Sequence, residues 1–221
     1  MARTHYHHGE LRNALLDAAE TLVRERGVHG WSLREASARV GVSSSAAYHH
    51  FDSRDALVRA LTRRVLARLG ERLVQAVAAV PPGESDPQRR LVALGRGYVE
   101  WAVADPSVGR LVFGAGVSGS GDEISPHPHE VLDQELDRLT ETGGLPASSR
   151  PGADFVLWAA IHGLATLLID GLARVDDSPE AAAREAERVV RVVLGGLTRE
   201  AVPDEGWPAV RSLHTERRAD E

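Results

Sequence analysis

Residues 32–57, SLREASARVGVSSSAAYHHFDSRDAL, decide how this chain folds. Ser32 with Glu35 three positions on is a capping box: the hydroxyl accepts a first-turn N–H while the carboxylate reaches back to the cap's own N–H. The pair predicts a short helix. Gly41 stops it, because glycine takes the left-handed backbone at which helices commonly end. Ser43 or Ser44 then caps a further helix running to about Phe51. Two short helices joined at Gly41-Val42-Ser43 make a helix-turn-helix. Upstream, Leu11, Ala14, Leu15, Ala18, Ala19, Leu22 and Val23 recur at helical spacing from Glu10 to Arg26, and Gly27 ends that helix. Downstream, Asp52 or Ser53 opens a long fourth helix with Leu57, Leu61, Val65, Leu69, Leu73 and Val77 along one seam, broken by Pro81-Pro82-Gly83.

The second helix of such a motif enters the major groove of DNA, whose width admits an α-helix, while the first helix and the caps touch the backbone. Here that helix offers Ser43, Ser44, Ser45, Tyr48, His49 and His50, whose hydroxyls, phenol and imidazoles can donate to phosphate or to a base edge. Two short helices about a glycine turn also occur as plain packing in many helical proteins, so both readings stand at this point. Charge leans toward the first. Residues 1–65 hold ten Arg against seven acids, +3, and the remainder sixteen Arg against 25 acids, −9, a small basic head on an acidic body.

Helices recur at about 87–104 (Leu91, Leu94, Tyr98, Trp101), briefly after Pro106 (Leu111, Val112, Phe113) and at about 127–142 (Val131, Leu132, Leu136, Leu139). Two more follow at roughly 152–173 (Phe155, Trp158, Ile161, Leu164, Leu168) and roughly 179–201 (Val189, Val190, Val193, Leu194, Leu197). Gly114 to Pro126 reads as a loop, and no strand pattern stands out. The expected architecture is all-α with about nine helices. Residues 1–55 form a three-helix helix-turn-helix domain whose fourth helix continues to about 79, residues 56–202 a larger helical domain and 203–221 a frayed tail.

The 221 residues contain no apolar run long enough to cross a membrane and no apolar leader, so a cytoplasmic location is expected. There is no cysteine, which excludes disulfides and thiolate chemistry, and no lysine: all 26 basic residues are arginine. No G-x-S-x-G, phosphate-binding glycine loop, H-E-x-x-H or acidic metal cluster is present, so no catalytic residue and no cofactor is assigned.

Ser32-Leu33-Arg34-Glu35-Ala36, Val40-Gly41-Val42-Ser43, Tyr48-His49-His50-Phe51 and Ser53-Arg54-Asp55-Ala56-Leu57 together resemble the DNA-binding domain of TetR-type repressors. The G-V-S, Y-x-H-F and S-[KR]-x-x-L elements are specific in this order and spacing, and none is specific alone. The resemblance implies a capping contact to DNA at Ser32, turn and reader contacts at Ser43, Ser44, Tyr48 and His49, and a phosphate clamp at Arg54, where arginine for the common lysine adds a bidentate fork. Ala36 and Ala47 stand where the family usually has bulky aliphatics, and Ala46 where Thr or Ser is frequent. Trp158-x-x-x-His162-Gly163 is similar to the W-x-x-x-H-G signature of one TetR subgroup, as is the run from Tyr98 to Ala102 with Asp105-Pro106, extending the likeness to about residues 9–202.

That likeness implies a homodimer on a double-stranded operator, repression relieved by a small apolar or aromatic effector, and a dimer bundle from the last two helices. Ala159, Gly163, Val189, Val193 and Leu197 are the expected interface residues. Tyr98, Trp101, Phe113, Phe155, Trp158 and His162 are the expected pocket, although aromatics at helical spacing serve core packing as readily. His127 and His129, and the cluster His5, His7 and His8, lack a complete first shell at a recognised spacing, so no metal is assigned. An activator of the same fold and a non-catalytic helical interaction protein are the alternatives.

Overall fold

The computed structural model describes residues 8–83, 85–114, 124–176 and 179–199. His5 and His7 of the N-terminal cluster, most of the Gly114–Pro126 loop and the expected tail lie outside them. Among the described residues the chain is helical, with α1 His8–Arg26, α2 Leu33–Val40, α3 Ser44–Tyr48, α4 Arg54–Ala78, α5 Arg89–Ala104, α6 Pro106–Gly114, α7 Pro128–Glu141, α8 Ala153–Ile169 and α9 Pro179–Leu197. One short 3-10 turn, Ala147–Ser149, precedes α8. The helices group into two compact units, Met1–Val65 with Asp105–Val117 and Leu66–Ala104 with Ser118–Glu221, and α4 contributes to both. The expected domain boundary at residue 55 falls in the first turn of α4, and the short helix α6 belongs to the first unit.

In the first unit α1 packs on α2 and α6, and α2 on α3. Its buried side chains follow the periodicity of the sequence: Leu15, Leu16, Ala19, Leu22 and Val23 from α1, Leu33 and Ala36 from α2, Ala47 from α3, then Phe51, Leu57 and Leu61. Ala36 and Ala47 have no exposed surface, so both short side chains belong to the core of this unit. Glu20 is buried as well, and both its oxygens are taken: Arg24 Nη2 donates to Oε1 at 2.6 Å and Arg64 Nη2 to Oε2 at 2.9 Å. Arg24 also donates from Nε to Asp105 Oδ2 at 2.6 Å, and Asp105 Oδ1 caps α6 by accepting from Val108 N at 3.2 Å. One ionic network thus holds α1, α4 and α6. Removing one partner from a buried ion pair costs ~3–5 kcal/mol because the other charge is left without compensation.

In the second unit α5 is the central helix, packed on α7, α8 and α9. It buries Leu91, Val92, Leu94, Tyr98, Val99 and Ala102, and Gly95 lets α9 come close, since a Cβ there would stand 2.6 Å from Val190 Cγ2. α7 begins at His127, whose Nδ1 accepts the His129 N–H at 3.2 Å while Glu130 Oε2 accepts the His127 N–H at 3.1 Å. A histidine weighed as a metal ligand is therefore a helix cap. α8 stops short of the expected residue 173, because Gly171 takes φ +69° and the N–H groups of Leu172 and Ala173 close on Leu167 O.

Candidate nucleic-acid interface

The capping box forms as read. Glu35 N donates to Ser32 Oγ at 3.3 Å, and Glu35 Oε2 accepts from both Ser32 N and Ser32 Oγ at 2.9 Å. Arg26 Nη1 meets the other carboxylate oxygen at 2.5 Å. Ser32's hydrogen bond first, and Arg26 after it, hold the Glu35 carboxyl below its ordinary pKa. Gly41 has φ +80°, and the turn closes with Gly41 N on Ala38 O and Val42 N on Ser37 O. Ser43 then caps α3 by accepting the Ala46 N–H at 3.2 Å.

α3 is shorter than expected, ending at Tyr48, with His50 and Phe51 turned back onto Ala47 O at 3.0 Å. It buries Ala47 and leaves Ser45, His49 and Tyr48 exposed, the phenol ring at 53%; Ser44 and His50 are half-buried. The hydroxyl of Ser43 accepts its cap bond through oxygen, which leaves its hydrogen available to donate. The structure therefore places Ser44, Ser45 and Tyr48 on one short, capped helix with a buried side, and Ser43, His49 and His50 at its ends.

The Arg54 guanidinium is held within the first unit. Nε donates to Trp31 O at 2.9 Å, Nη2 to Val28 O, and the guanidinium carbon lies 4.6 Å from the centre of the Trp31 ring. Arg24, Arg26, Arg39 and Arg64 likewise end on carboxylates of the same unit. Arg34, in the first turn of α2, is exposed and makes no ion pair among the described residues. A cation in a first turn opposes the helix dipole, so Arg34 gains nothing from its own helix there.

In the second unit, four of the six expected pocket residues meet. Tyr98 is buried, its hydroxyl 3.0 Å from His162 Nδ1 and its ring 5.1 Å from Trp158 and 6.2 Å from Trp101. His129 joins them, its ring 3.8 Å from Trp158. Burial pushes the Tyr98 phenol up and the His162 imidazole down, so both are neutral. Phe155 instead faces out from α8 at 45% exposure, and Phe113 lies on α6 in the first unit. A cleft of ≈ 410 Å³ in this unit lies at Pro81, Pro82, Arg90, Leu91, Glu135 and Leu139, away from the aromatic cluster.

Of the expected interface residues, Ala159 is exposed, Gly163, Val189 and Val193 are half-buried, and Leu197 is turned into its own unit's core. Phe155, Val156 and Leu167 of α8 and Val192 of α9, the last at 67%, give these two helices an apolar outer surface.

Comparison with known proteins agrees with this geometry. Residues 15–61 match the family described as bacterial regulatory proteins, tetR family, and residues 91–193 match the tetracyclin repressor-like C-terminal domain. The chain belongs to the TetR family. Within it, the HTH-type transcriptional regulator BetI of Yersinia pestis (strain Pestoides F) is 34% identical over 86 residues, 39% of this chain and 42% of BetI. The HTH-type transcriptional repressor KstR2 of Rhodococcus jostii is 37% identical over 68 residues, 31% of this chain and 33% of KstR2. The chain thus matches less than half the length of either relative. A protein of unknown function from Rhodococcus sp. RHA1 is similar over nearly the whole fold, with 30% identity, a TM-score of 0.68, and coverage of 89% of this chain and all of that one. The TetR family comprises DNA-binding transcriptional regulators, and the fold of this chain is theirs.

Proposed function

We propose that this regulator is a homodimeric repressor that binds a near-palindromic operator through α3 and releases it when a small apolar or aromatic ligand enters the second unit. The observation that carries the reading is the capped α3 with exposed Ser45, Tyr48 and His49 and buried Ala47. Such a helix is fixed on one side and offers donors on the other, as a groove reader must. Ser43, Ser44 and His50 flank it. Two readers related by a dimer axis would meet half-sites about one DNA turn, ~34–36 Å, apart.

The apolar outer surface of α8 and α9 supports dimerisation, since exposed Phe155, Val156, Leu167 and Val192 gain by burial against a second copy. The neutral Tyr98–His162 pair beside Trp101 and Trp158 supports recognition of an uncharged or aromatic ligand. α4 carries the response, because one uninterrupted helix of 25 residues contributes to both units. A ligand must favour the released state by ~10⁴-fold to switch the population nearly completely. A regulator's role, rather than an enzyme's, and a cytoplasmic location belong to the same reading. Activation is the second reading, and only transcription from the target promoter separates the two.

The test is selection of bound sequences from random duplex DNA by the purified protein, followed by sedimentation with the winning duplex. An enriched inverted repeat bound by two chains supports the proposal. No enrichment by a folded protein, or a winner without two-fold symmetry, overturns it.

A further inference from the structure

We infer that Arg54 is a positioning residue that fastens the α1–α2 loop to the start of α4 and so sets the N-terminus of α2, and that it does not contact phosphate. The inference rests on reading the helix-turn-helix as a DNA-binding element. Its basis is the use of the guanidinium. Two donors are spent on the carbonyls of Val28 and Trp31, the flat face covers the Trp31 indole, and Nη1 stands 3.4 Å from Asp55 Oδ1. The side chain is 23% exposed, which leaves little of it to meet a phosphate.

The peptide group between Trp31 and Ser32 is held at both ends. Its carbonyl accepts from Arg54 Nε at 2.9 Å, and its N–H donates to Glu35 Oε2 at 2.9 Å. Glu35 is in turn fixed by Arg26 of α1. The result is a closed series of contacts from α1 through the first turn of α2 to α4, and the pinned peptide precedes the residue that caps α2. α2 packs directly on α3, so its placement is also the reader's placement. Only a planar fork can reach two separated carbonyls while lying flat on an indole; a lysine ammonium supplies the charge and lacks the shape.

The experiment compares Arg54→Lys and Arg54→Gln in the full chain, using the duplex selected by the wild-type protein and a scrambled duplex of equal length at several salt concentrations. Amide exchange and the Arg54 Nε–H resonance are followed in the absence of DNA. A positioning role predicts that both variants lose roughly fivefold to tenfold in affinity, the worth of about one helix cap. It also predicts that both keep the wild-type salt slope and exchange the Ser32 amide faster. In the wild-type protein the Nε–H would exchange slowly without DNA and stay unshifted when the duplex is added, a readout that survives even if a variant does not fold.

Wild-type affinity for Arg54→Lys, with a salt slope lower by about 1 for Arg54→Gln, is the signature of a phosphate contact and overturns the inference. So does a fast-exchanging Nε–H in the free protein. If the wild-type protein selects no duplex, the functional proposal fails, while the exchange of Ser32 and of the Arg54 Nε–H still decides the strut.

Discussion

Replacing Ser43 separates the two tasks assigned to it. Its oxygen accepts the Ala46 N–H at 3.2 Å, and on the proposed reading its hydrogen donates to a phosphate. α3 has only five residues, far too few to be stable by itself, so the cap is a large part of its local stability. Ser43→Ala should cost ~1 kcal/mol in urea or thermal unfolding, the usual loss for such a cap. It should also weaken the selected duplex several-fold. Ser43→Asn preserves the cap and should lie within a few tenths of a kcal/mol of wild type.

Ser43→Asp preserves the cap and adds a favourable charge at the helix N-terminus, worth about 0.3–1 kcal/mol, but sets a carboxylate toward the DNA backbone. Two like charges ~4 Å apart repel by about 1 kcal/mol even in water, so this variant should be as stable as wild type and bind at least fivefold more weakly. Unfolding midpoints and duplex titrations at one salt concentration measure both quantities. Wild-type affinity for Ser43→Asp would refute the placement of Ser43 against DNA. An unchanged midpoint for Ser43→Ala would refute the capping role.

Arg34→Ala should weaken selected and scrambled duplexes alike and lower the salt slope by about 1, as expected for a cation facing phosphate; a loss confined to the selected duplex would assign it to a base instead. Gly95→Ala should lower stability despite alanine's ~1 kcal/mol advantage in a helix, because its Cβ would meet Val190 Cγ2 at 2.6 Å, and adding Val190→Ala should recover part of the loss. A stabilised single variant would show that α5 and α9 are packed otherwise. Burial holds the His162 pKa down, so below the ordinary imidazole value of about 6.5 the unfolded chain takes the proton first. The stability His162 contributes is therefore full above that pH and falls as the solution is acidified, and between pH 7.5 and pH 5 the wild-type midpoint should drop further than that of His162→Asn. Parallel pH profiles would count against a buried neutral imidazole.

Much of the first unit could be read from short-range chemistry. The Ser32–Glu35 box, the Gly41 stop and the Ser43 cap are local devices whose partners lie within five residues, so residue type and spacing carry their whole meaning. Arg54 shows where that ends. Its partners are 23 and 26 residues away in the chain, and a basic residue at a helix start reads equally as a phosphate contact or as a strut. Histidine at 127 does not read as a helix cap from its residue type, and its neighbour's N–H on the ring nitrogen is what shows that role. The aromatic cluster was half legible for the same reason. Helical spacing puts Phe155, Trp158 and His162 near one side of α8, but which flank of that side faces α5 depends on how the two helices pack. Leu197 illustrates the converse, since a stripe that is apolar on both flanks does not say which residues face inward.

The inward turn of so many arginines bears on how such a protein searches a chromosome. Background attraction to arbitrary DNA comes from cations that neutralise phosphates, each adding roughly 0.9 to the logarithmic dependence on salt. Arg24, Arg26, Arg39, Arg54 and Arg64 are occupied within the protein itself. The fewer cations remain for that attraction, the weaker a sponge the vast excess of decoy sequence becomes. A larger share of the molecules stays unbound between encounters, in the state a ligand can reach. On the proposed reading, choice of site then falls to hydroxyl, phenol and imidazole groups, which must find their partners one base edge at a time.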